Sequence, residues 1–128
     1  MKAGTLIADV HTNYELLNRL LKTDYEAWMS AEYKLSNGSF IWMVYLDGKE
    51  RNGWINVTEG DNITEKYVGG RPYPNNIDTG LQNKTRVVFE KVKISNKQCY
   101  IFKGIYELQM GKPELRLLKK ISDETDLF

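Results

Sequence analysis

The chain has 128 residues, 41% apolar, 27% charged and 12% aromatic, the composition of one globular domain that can bury a core unaided and is too aromatic for disorder. A balance of 18 basic and 17 acidic residues leaves a net charge of +1, so a nucleic-acid partner would need a local basic patch, not an overall field. One cysteine, Cys99, excludes an internal disulfide, and the lack of any run of about 18 apolar residues or of a signal-peptide core near Met1 implies a cytoplasmic protein with no membrane partner.

The first elements read as helical. Thr12 or Asn13 caps a helix whose Leu16, Leu17, Leu20 and Leu21 form one apolar stripe. Thr23 and Asp24 look like a second cap, with Glu26 in capping-box spacing, and predict another helix over residues 25–34. Asn37-Gly38 ends it.

Strands follow. Residues 39–46 are aromatic and β-branched, and Asp47-Gly48 turns the chain. Short strands over 54–57 and 63–68 flank the turn Glu59 to Asn62. A long loop from Gly69 to Lys84 leads to a hairpin, residues 86–94 and 98–109, joined by Ser95-Asn96-Lys97. In its second arm Tyr100, Phe102, Gly104, Tyr106 and Leu108 share a face by alternation. The lone Cys99, in the same strand and without a basic neighbourhood, reads as a small core residue. Gly111-Lys112-Pro113 turns again before a last strand over 114–121.

The expectation is one α+β domain over 1–128: helical at 12–35, β-rich at 39–121, with a polar tail at 122–128. Consecutive strands without crossover helices pair antiparallel. The sheet should be strongly bent and mostly antiparallel, or closed into a β-barrel, with one or two N-terminal helices packed on it.

Catalytic motifs are absent from the sequence. The lone His11 cannot build a multi-histidine metal site, and no nucleophile elbow, phosphate loop or dinucleotide fingerprint occurs. No metal and no cofactor is expected. One nuclease-like order exists, Asp24 followed by Glu32-Tyr33-Lys34. That chemistry wants Glu-x-Lys on a strand, whereas the helical reading places these residues on a solvent-facing helix.

The loop from Gly69 to Lys84 exceeds the usual length of a connection in a compact domain. Arg71, Lys84 and the adjacent Arg86 are candidates to hold phosphates, Tyr73 to stack, and Asn76 to read a base edge. Trp54 and Asn56 fall on one face of their strand and would add a stacking surface and an amide with both donor and acceptor. The competing reading makes Trp54 core and the loop a closure.

Two segments carry a resemblance. One runs from Gly53 to Tyr67. The other is Arg86-Val87-Val88-Phe89-Glu90-Lys91 with Tyr100-Ile101-Phe102-Lys103-Gly104-Ile105-Tyr106-Glu107-Leu108. The second resembles the paired strands of PUA-like and SRA-like β-barrels. That resemblance implies recognition of nucleic acid, with a modified or flipped base held in an aromatic cage, in a restriction or defence setting. The large basic insertions with which SRA domains hold duplex DNA are not evident here.

The resulting expectation is a non-catalytic nucleic-acid-binding module with Trp54, Asn56, Arg71, Tyr73, Asn76, Lys84 and Arg86 at its ligand site. The alternatives are a small protein-interaction or inhibitor protein, whose partner would be a protein, and a metal-dependent nuclease. The oligomeric state is not legible.

Overall fold

The computed structural model describes residues 1–75 and 77–128. Strand β1 (Leu6–Ile7) precedes helix α1 (Asn13–Leu21). Strands β2 (Glu32–Lys34), β3 (Phe40–Val44), β4 (Trp54–Glu59) and β5 (Asn62–Tyr67) follow. A single helical turn, α2 (Thr79–Gln82), then leads to β6 (Thr85–Ile94), β7 (Lys97–Lys112) and β8 (Leu115–Ser122).

Helix α1 starts where the sequence signals it. The Thr12 hydroxyl accepts from the Glu15 amide at 3.3 Å and donates to the Glu15 carboxylate at 2.8 Å, a reciprocal cap. Lys22 ends the helix in the left-handed conformation, φ 58°. Leu16, Leu17 and Leu20 bury the apolar face.

The second helix does not form. The Asn18 side chain accepts from the Tyr25 amide and donates to the Tyr25 carbonyl. The expected cap, Thr23, donates its hydroxyl to Asn18 instead. Tyr25, Trp28 and Tyr33 then stack on one another, with ring centroids 4.9 to 5.9 Å apart. Tertiary aromatic packing outweighs the weak local helical preference. Residues 32–34 therefore form β2, antiparallel to β3 with Glu32 opposite Trp42.

The sheet runs β2-β3-β6-β7-β8-β5-β4, with β1 pairing the first half of β7. All pairings are antiparallel except β3 with β6, which are parallel because β4, β5 and α2 intervene as a long crossover. Ser95 and Asn96 turn the β6–β7 hairpin at φ 52° and 65°, the twist a two-residue hairpin needs.

Alternation assigns two faces. Ile41, Met43, Val87, Phe89, Tyr100 and Phe102 pack under α1. Trp42, Val44, Val88 and Tyr106 face the other way and meet Ile63 of β5 and Leu118 of β8. Strands β3 and β5 lie far apart along the sheet order, yet Trp42 and Ile63 share one cluster, so the sheet curls over this second face. Register shifts at Val88/Phe89, Ile105/Tyr106 and Leu108/Met110 accompany the bend. The connection that follows β3 meets β4 at an isolated bridge, Asp47 to Val57. The result is a bent mixed sheet, not the closed barrel that stood as the other expectation.

The polar end of the chain is tied to its beginning. The Met1 amine donates to the Thr125 carbonyl at 2.8 Å, and the Thr125 amide returns a bond to Met1 at 3.0 Å. Thr125 is buried, and Phe128 packs at 6.1 Å from Phe89. No described helix is long and apolar enough to cross a membrane.

Candidate nucleic-acid interface

The curl of the sheet encloses a cavity of about 750 Å³, within the usual range of ligand sites, about 300–1,000 Å³. Its lining comes from strands and from the loops between them. Trp42 and its register partner Glu32 stand on one side. Trp54 and Asn56 of β4, with Glu65 opposite Asn56 on β5, stand on the other.

A polar stack runs from the lining into the core. The Arg86 guanidinium lies 4.4 Å from the centre of a Trp42 ring, and the Arg116 guanidinium lies 4.7 Å from Trp54. Glu65 Oε1 accepts from both, at 3.1 Å from Arg86 and 3.3 Å from Arg116. One carboxylate thus joins two cation–indole pairs across the curl. Arg86 is 0% and Arg116 1% exposed, so pairing and full hydrogen bonding are what make their burial tolerable.

The remaining guanidinium protons hold the long loop. Arg86 donates to the Gly80 carbonyl at 2.7 Å and to Asn83 at 3.1 Å. Arg116 donates to the carbonyls of Ile77 and Lys112. Gly80 fits because it lacks a side chain: a Cβ there would lie 3.0 Å from both guanidinium groups. Burial pulls the Arg116 pKa below its ordinary value, against the stabilising charge of Glu65.

Two groups on the lining are under-engaged. The Asn56 Oδ1 is buried and has no hydrogen-bond partner among the described residues. Glu32 accepts from the Asn83 side chain; burial raises its carboxyl pKa, with nearby Arg86 opposing. Asn56 therefore brings an unpartnered acceptor just beneath the lining, and Glu32 a carboxyl that takes up a proton more readily than an exposed glutamate.

The expected site residues divide. Trp54 and Asn56 line the cavity. Tyr73 reaches Trp54 through Tyr67, by ring contacts of 6.0 and 5.0 Å, and Arg71 lies 5.2 Å over Tyr73, so both sit outside the wall at the Trp54 side. Lys84 is exposed and does not line the cavity. Asn76 lies outside the described residues. Arg86 is corrected: as a phosphate holder it would need solvent access, but it alternates with Val88 on the inner face and is fully buried.

Sequence reasoning missed Trp42, Arg116 and a basic group, Lys49, Arg51 and Lys91, and weighed Glu32 only in the nuclease-like order; all of these line the cavity. Their signal was alternation: Trp42 with Val44, and Arg116 with Leu118, share faces with core residues. Glu32 was hidden by the helical reading. Its strand placement meets the geometric demand of the Glu-x-Lys pattern, but Asp24 is exposed and the Glu32 carboxylate is engaged by Asn83. Among the described residues no three His, Cys, Asp or Glu side chains group as metal ligands.

No protein-family model matches the chain, and no curated protein matches it. Among solved structures it is similar to the 5-hydroxymethylcytosine-specific restriction enzyme AbaSI, at 23% identity and a TM-score of 0.70. The chain is an α+β protein that shares the fold of the matched part of that enzyme. The match covers 91% of this chain and 39% of AbaSI. At this identity the likeness speaks for architecture, and the residues that line the cavity must be argued on their own chemistry.

Proposed function

We propose that the protein is a non-catalytic nucleic-acid-binding module, of the restriction-related kind, that receives an unpaired or extruded base in the cavity of its curled sheet. The observation that carries this is the pairing of Trp54 with the buried, unpartnered Asn56 Oδ1 on one wall of a cavity of about 750 Å³. An indole gives a stacking face that every base can use. An amide oxygen without a partner suits the exocyclic amino group of cytosine or adenine, and Glu32 supplies a second hydrogen-bonding group nearby. An unpaired buried polar atom costs free energy that a ligand donor recovers.

Around this centre the sequence-based assignments form part of the same proposal. Tyr73 extends the aromatic surface, Arg71 and Lys84 meet the backbone, and Asn76 contributes a further amide. A modified cytosine in DNA is the first base to try, because the structurally similar AbaSI acts in a 5-hydroxymethylcytosine-specific way. The test is fluorescence anisotropy with duplexes that differ only in carrying cytosine, 5-methylcytosine or 5-hydroxymethylcytosine, at several salt concentrations. Wild type should bind with salt-dependent affinity and prefer one of the three. Asn56→Ala should weaken the preferred duplex about tenfold, or ~1.4 kcal/mol. Equal binding by Asn56→Ala, or no binding by wild type at low salt, overturns the reading.

A further inference from the structure

The basic group on the cavity lining has a geometry of its own. The ring of Tyr45 carries two cations, the Arg51 guanidinium at 3.9 Å and the Lys91 ammonium at 5.5 Å. The ring is fixed by its hydroxyl, which donates to Gln98 Oε1 at 2.6 Å. Arg51 is also fixed, by two bonds to Asp47 at 2.7 and 2.8 Å. Glu50, the other carboxylate of this turn, accepts from the Gly53 amide at 2.7 Å. Lys49 lines the same part of the cavity.

Lys91 differs from its neighbours. It sits partly buried on β6, lines the cavity, and has no carboxylate partner among the described residues. The adjacent Glu90 is paired with Lys103. Burial and the neighbouring Arg51 both disfavour the charged ammonium. Two cations share one ring and only Arg51 has a carboxylate partner, so Lys91 brings an unneutralised positive charge to the lining of the cavity, where it attracts an anion.

We propose that Lys91, with Arg51 and Lys49, forms an anion subsite on the Tyr45 side of the cavity that takes a phosphate group. Naming phosphate as the anion rests on the reading of the cavity as a nucleic-acid site. The subsite would hold a backbone phosphate beside the base engaged at Asn56, so the cavity accepts a nucleotide and not a base alone. Lys91 acts as a point charge and needs no fixed fork geometry. Arg51, preset by Asp47, offers its remaining protons in a fixed direction.

The test titrates the intact protein with inorganic phosphate while NMR follows the side-chain signals of Lys91 and Tyr45. Saturable shifts are expected in wild type and in Lys119→Met, an exposed change on β8. Lys91→Met should bind at least about tenfold more weakly, and Lys91→Arg should restore most of the affinity. An unchanged Tyr45–Gln98 signature in Lys91→Met shows that the site is intact. Shifts that do not saturate in wild type, or equal binding by Lys91→Met, overturn the subsite. Cytidine and cytidine 5′-monophosphate separate this from the base reading. Phosphate binding without any effect of cytidine on Trp54 signals leaves the subsite standing and removes the base. Cytidine binding with Lys91 indifferent to phosphate does the reverse.

Discussion

Glu32 shows how far a single side chain can be set by its surroundings. It stands opposite Trp42 on the inner face, accepts from Asn83, and lies near both Arg86 and Glu65. Burial raises its pKa above the ordinary glutamate value. The sign of the linkage follows. A folded-state pKa above the unfolded one means that the folded protein binds the proton more tightly. Glu32 therefore contributes its full share of stability below the unfolded pKa, about 4.3, and loses it as pH rises through the higher folded value. A neutral isostere that still accepts from Asn83 should remove this penalty. Glu32→Gln is expected to be more stable than wild type at pH 7, with the difference fading below about pH 4. Urea denaturation at a series of pH values measures it, and a constant difference across the range would contradict the assignment.

At the scale of elements, the loop from Gly69 to Lys84 is the segment whose character changed most between sequence and structure. Its length and its Arg, Tyr and Asn content were visible, but not that its carbonyls are gripped from below. Arg86 and Arg116 hold Ile77, Gly80 and Asn83, and Glu65 holds both arginines. Glu65→Ala would leave two buried guanidiniums without their shared counter-charge. The expected loss is about 3–5 kcal/mol, read as a fall in the denaturation midpoint, with the loop amides losing hydrogen-exchange protection. A loss below 1 kcal/mol (about the value of an exposed pair) would mean that the stack does not support the loop. The strands from β3 onward were legible because alternation and turn residues are local signals. The same alternation that places Val88 inside places Arg86 inside, and the expected strand already began at Arg86, so its burial was readable from the pattern. The span 25–34 was not, because its fate depends on Asn18 and on three aromatics meeting across space. The parallel β3–β6 pairing is equally non-local.

For the whole molecule, the curl of the sheet decides which aromatic residues belong to the core and which to the site. Trp42 and Trp54 look equivalent: each faces the cavity and each has a guanidinium on one face. Their positions along the sheet differ. Trp42 lies on β3, bracketed by β2 and β6, is 2% exposed and packs with Val44, Val88 and Leu118. Trp54 lies on β4, the last strand in the order, and is half-buried, with Tyr67 at 5.0 Å as its ring neighbour. Truncating Trp42 removes a central buried side chain and uncovers Arg86. Trp42→Ala should therefore cost about 3–5 kcal/mol of stability, and any loss of binding would follow from unfolding. Trp54 has fewer buried neighbours to lose, and its stacking surface is at the edge where a base would enter. Trp54→Ala should cost less than half as much stability while weakening oligonucleotide binding by about 1–3 kcal/mol, the usual worth of one base–aromatic contact. Denaturation and anisotropy on the same two variants separate the roles. If Trp54→Ala destabilises the protein as much as Trp42→Ala and binding falls only in proportion to the unfolded fraction, the indole is a core residue and the base must be sought elsewhere.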